Sequence, residues 1–173
     1  QDRGASVAIG NFDGVHLGHQ AVIRLAREAG GGAPCGVLTF EPHPREYFAP
    51  DSPPFRLMSP EARTSRLEKL GVERLYELNF NSALAALTPE EFARRVISEG
   101  LGLRHVVVGA DFCFGKNRAG DVDDLKRFGV EMGFGVTVAE ILEHRGGQVS
   151  STAIRKALTD GNPREAAAQL GHW

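Results

Sequence analysis

Short apolar runs rich in β-branched residues recur along the chain: Val7 to Ile9, Val37 to Phe40, Leu75 to Leu78, Val106 to Val108 and Val136 to Ile141. The stretches between them place apolar residues at helical spacing. This alternation predicts βαβ units, and unbroken apolar strands of this kind belong in a parallel sheet with helices on both faces.

Helix boundaries are written into the polar positions. Thr88-Pro89-Glu90-Glu91 offers an N-cap threonine, proline at the first helical position and a glutamate completing a capping box. Ser59-Pro60 and Asn162-Pro163 mark two further starts, and Gly161 is placed to end the helix before the second. Two tandem helices, about Thr152 to Asp160 and Pro163 to Leu170, are expected to close the chain. Two segments resist a periodic reading. They are Glu41 to Leu57, rich in proline, and "GADFCFGKNRAGD", and both begin where a predicted strand ends, the edge at which open α/β sheets bind ligands.

The totals narrow the picture without choosing a function. A chain of 173 residues is read as one domain. Cys35 and Cys113 lie far apart with no metal-ligand spacing, so neither zinc nor a disulfide framework is expected. No membrane span or signal segment is visible, and a cytoplasmic location is expected. The net charge of −2 argues against a nucleic-acid partner, although a local cluster of donors can still hold a small phosphate.

The chemistry concentrates in a few places. "GNFDGVHLGH" follows the first predicted strand, with Gly18-His19-Gln20 expected to open the next helix. Unpaired N–H groups at a helix start favour phosphate, and His16 and His19 add two imidazoles beside them, with Gly18 between them leaving room for the ligand. The plain alternative is a glycine-rich turn with solvated histidines. "VSSTAIR" places Ser150, Ser151 and Thr152 at another helix start with Arg155 one turn on, a set able to wrap a polyphosphate. Gly115-Lys116 does not complete a P-loop, because Gly109 precedes it by one residue too many and Asn117 replaces the hydroxyl. Pro42, His43 and Arg45, after the second strand, are placed for substrate contact.

Taken together, "IGNFDGVHLGH", "LTFEPHP", "NFNSALAALTPEEF", "GADFCFGKNRAGD" and "SSTAIRKAL" resemble, in order and spacing, the adenylyltransferase module of prokaryotic FAD synthetases, the bifunctional riboflavin kinase/FMN adenylyltransferases. The resemblance implies a Rossmann-like nucleotidylyltransferase fold over residues 1–173. It also implies transfer of AMP from ATP to FMN with Mg2+, giving FAD and pyrophosphate. By the same resemblance His16, His19, Ser151, Thr152 and Arg155 are expected in catalysis. Gly10, Asn11, Phe12, Asp13, Gly14, Gly18, Gly109 and Ser150 are expected on ATP, and Pro42, His43, Arg45, Phe80 and Asp111 on FMN, with no dedicated protein metal site. Where such proteins continue through "LGRPY" into a riboflavin kinase module, this sequence reads "LGHW", so kinase activity is not expected of these residues. A nucleotidylyltransferase for another phosphate ester and a non-catalytic flavin-binding module remain the alternatives.

Overall fold

The computed structural model describes residues 3–172, so Trp173, the last residue of "LGHW", lies outside the described residues. β1 (Ser6–Ile9), β2 (Cys35–Glu41), β3 (Arg74–Asn79), β4 (His105–Gly109) and β5 (Gly135–Ala139) form one parallel sheet in the order β3-β2-β1-β4-β5. All five predicted strands are present. The last is shorter than its apolar run, because β5 stops at Ala139 while Ile141 and Leu142 leave the sheet, ahead of a small hairpin of β6 (Glu143–His144) and β7 (Gly147–Gln148).

Period-two alternation splits each strand between two cores. Val7, Ile9, Leu38, Phe40, Val106 and Val108 face one side. There they meet Phe92 of α5 (Pro89–Phe92), Ile97 of the π-helical turn that continues it over Ala93–Ser98, and Leu125 and Phe128 of α6 (Val122–Met132). Ala8, Val37 and Val107 face the other side, against Ile23 and Ala26 of α1 (Leu17–Gly30) and Leu67 of α3 (Pro60–Lys69). Short helices α2 (Pro44–Phe48) and α4 (Ser82–Ala85) lie in the connections.

The caps form where the sequence predicts them. Thr88 and Glu91 make a reciprocal capping box, and Ser59 and Asn162 each accept from a first-turn N–H ahead of a proline-led helix. The closing helices are α7 (Ser151–Thr159) and α8 (Pro163–Leu170), which share a small core of Ile154, Ala157 and Ala166 with Leu57 and Leu170. α1 begins one residue before Gly18, at Leu17, because His16 itself is the cap.

The strand order reverses direction between β1 and β4: the chain steps outward through β2 and β3, then crosses back to β4 and β5. Loops leaving β1 and β4 therefore diverge, and the crevice between them is where open α/β sheets take ligands.

Burial predicts how unequal the helices' residues are. Replacing Ile97, fully buried, with alanine should cost about 2–5 kcal/mol. Val130→Ala, at a side chain 88% exposed, should stay within about 0.5 kcal/mol. Urea unfolding of the two variants checks the contrast.

Candidate active site

A cleft of about 420 Å³ opens at that reversal. Gly10, Asn11, Phe12 and Asp13 of the turn after β1 line it, as do His16, Gly18 and His19 at the start of α1. Ser150, Ser151, Thr152 and Arg155 approach from α7, and Gly109 and Asp111 from the end of β4. The two motifs, far apart in sequence, thus share one cavity.

The turn after β1 is strained. Phe12 and Val15 both hold left-handed backbone, at φ 54° and 43°, and Gly14 lies at φ 90°. A β-branched residue in that region is a genuine outlier, and such strain persists only where surrounding contacts over-determine it. Those contacts are visible. Phe12 and Val15 are buried in the core beneath α1. The carbonyl of Asn11 accepts from the Thr39 hydroxyl at 3.2 Å and from Nη1 of Arg63 at 3.3 Å. Arg63, a fully buried guanidinium, is neutralised by Glu41 at 2.9 Å and Glu77 at 3.0 Å through Nη2. Burial alone would raise the Glu41 carboxyl, but Arg56 and Arg63 together hold it below its ordinary value.

His16 and His19 form a unit. Nδ1 of His16 accepts from the His19 N–H at 3.2 Å, and Nδ1 of His19 accepts from the His16 N–H at 3.3 Å. The rings stack with centroids 3.6 Å apart and planes 14° from parallel. With both Nδ1 atoms accepting, each neutral ring carries its proton on Nε2. Burial lowers the His16 pKa to about 4 against the opposing pull of Asp13, and burial followed by the His16 neighbour puts His19 well below its ordinary value. At neutral pH the pair therefore presents uncharged Nε2–H donors.

Glycine at position 18 has a local reason. A Cβ there would lie 2.9 Å from Cε1 of His16, so any side chain would strike the ring that caps the helix. The room this glycine preserves is room for the imidazole.

The second helix start is also more committed than its sequence suggests. Ser150 caps α7 by accepting from the Ala153 N–H at 3.0 Å, and the Ser151 hydroxyl donates to the Asp13 carbonyl at 2.7 Å. Thr152 is the exposed hydroxyl of the three. Nη2 of Arg155 lies 2.7 Å from the Asp13 carboxylate, and its Nε donates to the Phe55 carbonyl at 2.9 Å. The same carboxylate accepts from the Leu57 N–H at 2.9 Å.

The remaining predicted residues divide. His43 reaches the cleft, its pKa lowered to about 4 by burial against the pull of Asp13. Gly14 does not line it: a Cβ there would meet Leu57 at 2.9 Å and Leu170 at 3.2 Å, so this glycine serves close packing under the turn. Arg45 lies outside the cleft, its guanidinium 4.3 Å from the Phe55 ring centre. Phe80 is also outside, packed edge-on against Phe40, Tyr47 and Phe48. Pro42 instead lines a neighbouring groove of about 410 Å³ with Glu46, Phe55 and Arg56. Sequence reasoning passed over Arg63, Phe55, Arg118 and Glu140. An arginine on an otherwise polar helix gives no sign of burial, and Phe55 sits in a segment without period.

The fold and this cleft define a class, an α/β domain of the Rossmann-like nucleotidylyltransferase kind. The chain belongs to the FAD synthetase family, whose sequence profile matches residues 1–153. It is 46% identical over 174 residues to the bifunctional riboflavin kinase/FMN adenylyltransferase of Pseudomonas fluorescens, covering 99% of this chain and 55% of the relative. It is 39% identical over 171 residues to the protein of the same name from Escherichia coli K12, covering 98% and 55%. The chain thus spans about half the length of the curated relatives it matches. A solved structure described as a macrolide-efflux protein from Streptococcus pneumoniae superposes with a TM-score of 0.87 at 33% identity, over 99% of this chain and 58% of that one. Among the described residues no helix is long and apolar enough to cross a membrane.

The depressed histidines make stability fall with acid. Above the ordinary value of 6.5, His16 is neutral folded and unfolded alike. As pH drops from there toward 4, the unfolded chain takes up a proton that the folded cap refuses, and the loss is complete below about 4. At about 1.4 kcal/mol per pH unit the loss approaches roughly 3 kcal/mol. Denaturant titrations at pH 7 and pH 4.5 should show it, and His16→Asn, which keeps a capping oxygen but cannot titrate, should reduce it.

Proposed function

We propose that this chain is an FMN adenylyltransferase, transferring AMP from ATP to FMN to give FAD and pyrophosphate. The observation that carries the reading is the meeting of two helix N-termini, α1 and α7, on one cleft with two Nε2–H donors and a guanidinium. Each helix start offers unpaired N–H groups and a partial positive charge to phosphate. Family membership supplies the nucleotide and the flavin.

A phosphate oxygen of FMN attacks the α-phosphorus of ATP, and the bond from that phosphorus to the bridging oxygen of pyrophosphate breaks. The nucleophile is already an anion, so no strong general base is required. The obstacle is the repulsion of two anions and the charge that gathers on the departing pyrophosphate. His16 and His19 meet that charge as neutral donors at Nε2, the first turns of α1 and α7 add N–H groups, and Thr152 and Arg155 close the far side. Ser151 and Asp13 hold Arg155 and the glycine turn in register.

Among the described residues no group of three or more histidine, cysteine, aspartate or glutamate side chains is gathered to hold a metal. Asp111 and Glu140 are nevertheless carboxylates on the cleft wall. Magnesium is commonly held by one or two carboxylates together with substrate phosphates, so these residues fit an ion that arrives with the nucleotide. Such an ion would screen the phosphates from one another.

Incubating the protein with ATP, Mg2+ and FMN and separating the flavins by chromatography should show FAD. His19→Ala should lower turnover roughly 100- to 1000-fold, the usual cost of removing one donor from developing charge, with circular dichroism unchanged. Binding of both substrates without FAD would leave a flavin-binding module, and wild-type turnover in a folded His19→Ala protein would remove the imidazole from the mechanism.

A further inference from the structure

The cleft wall carries three carboxylates, Asp13, Asp111 and Glu140, and two guanidiniums, Arg118 and Arg155. Arg155 is already paired with Asp13 at 2.7 Å. The three cleft imidazoles, His16, His19 and His43, are uncharged at neutral pH. A site for two phosphate-bearing substrates is thus left with one guanidinium, Arg118, that is exposed and in no ion pair among the described residues.

Its backbone sets Arg118 apart. Asn117 and Arg118 follow one another in left-handed conformation, at φ 58° and 55°, just after Gly115 at φ 78°. Non-glycine residues in this region cost on the order of 1–3 kcal/mol each, and an exposed arginine gains no packing in exchange. The turn is nonetheless clamped. Phe114 and Gly120 exchange N–H···O bonds of 3.0 and 2.9 Å, the Arg118 N–H donates to Gly115 at 3.0 Å, and the Lys116 N–H donates to Leu87 at 2.7 Å. Gly115 and Gly120 both press on Pro89 so closely that a Cβ would lie 2.6 and 2.8 Å from its atoms. A rigid, strained turn braced on the start of α5 thus holds a free guanidinium at the cleft.

We propose that Arg118 is a substrate-binding residue that takes a phosphate group of an incoming substrate from the β4 side of the cleft. This rests on the reading of the cleft as an adenylyl-transfer site. The planar fork of arginine suits two phosphate oxygens, and both the polyphosphate of ATP and the monoester of FMN present them.

The test is direct titration of each ligand, without turnover, against wild type, Arg118→Gln, Arg118→Lys and Arg118→Gly. FMN is compared with riboflavin and ATP with adenosine, so that each pair differs by its phosphates. Arg118→Gln should weaken FMN or ATP at least tenfold while riboflavin and adenosine are unaffected, and Arg118→Lys should recover part of the loss. A loss confined to FMN assigns the monoester, and one confined to ATP assigns the polyphosphate. Arg118→Gly should lose the same affinity with an unfolding midpoint equal to or above wild type, because glycine adopts φ 55° freely. Unchanged affinity of the glutamine variant for both phosphate ligands overturns the proposal, as does equal weakening of the ligands that lack phosphate. Wild type that forms no FAD while Arg118→Gln still loses phosphate-dependent affinity would remove adenylyl transfer and leave this inference standing. FAD formation with unaltered affinities would do the reverse.

Discussion

A carboxylate with 1% of its side chain exposed needs partners, and those of Asp13 come from two stretches of chain far from its own. Arg155 arrives from α7, the Leu57 N–H from the end of the irregular 41–57 segment, and the strained turn itself carries the acid. Satisfying this one charge closes the crevice floor. It pulls α7 against the β1 turn, where the Ser151 hydroxyl adds its bond to the Asp13 carbonyl, and it fixes where Arg155 stands before any ligand arrives. Phe55, whose carbonyl accepts from Arg155 and whose ring also meets His43 and Arg45, joins the same assembly.

Beneath it lies a second buried charge, Arg63, acting on the other side of the turn. Its bond to the Asn11 carbonyl and its ion pairs to Glu41 and Glu77 tie the turn after β1 to the C-terminal part of β2 and to β3. The left-handed backbone of Phe12 and Val15 is therefore held from both sides: by Asp13 toward α7 and by Arg63 toward the sheet. Strained backbone at a ligand-facing turn survives only under such double restraint, since relaxing it would unmake buried ion pairs whose loss commonly costs about 3–5 kcal/mol.

What the sequence discloses follows the range over which its physics operates. Strands and caps depend on neighbours within a few residues, so Val106 to Val108 and the Thr88 capping box are legible directly, and the five strands lie where their apolar runs predict. The two motifs that open α1 and α7 are legible as helix starts, and the sheet topology brings them together. The partners of individual hydroxyls are not legible, because they depend on tertiary distance. Ser150 and Ser151 look alike beside Thr152, yet one caps its own helix and the other binds a carbonyl 138 residues away. Phe80 and Arg45, expected on FMN, do not line the cleft: aromatic packing with Tyr47 and Phe48 and stacking on Phe55 hold them outside it. Gly18 shows the subtlest difference: the spacing is right, but the group that needs the space is the neighbouring ring.

These arrangements share an electrostatic consequence. Around the turn after β1 the charged and titratable groups are engaged with one another: Arg155 with Asp13, Arg63 beneath the turn with Glu41 and Glu77, and the His16 and His19 rings each with the other's N–H. What this side of the cleft leaves unengaged is directional, namely Nε2–H groups, the first N–H groups of two helices and the Thr152 hydroxyl, while Arg118 stands exposed on the β4 side. Neutral donors of this kind exert little long-range attraction on anions and act at short range, in keeping with a net charge of −2. The guanidiniums of Arg155 and Arg63 are thus committed to holding the turn after β1 in its left-handed backbone.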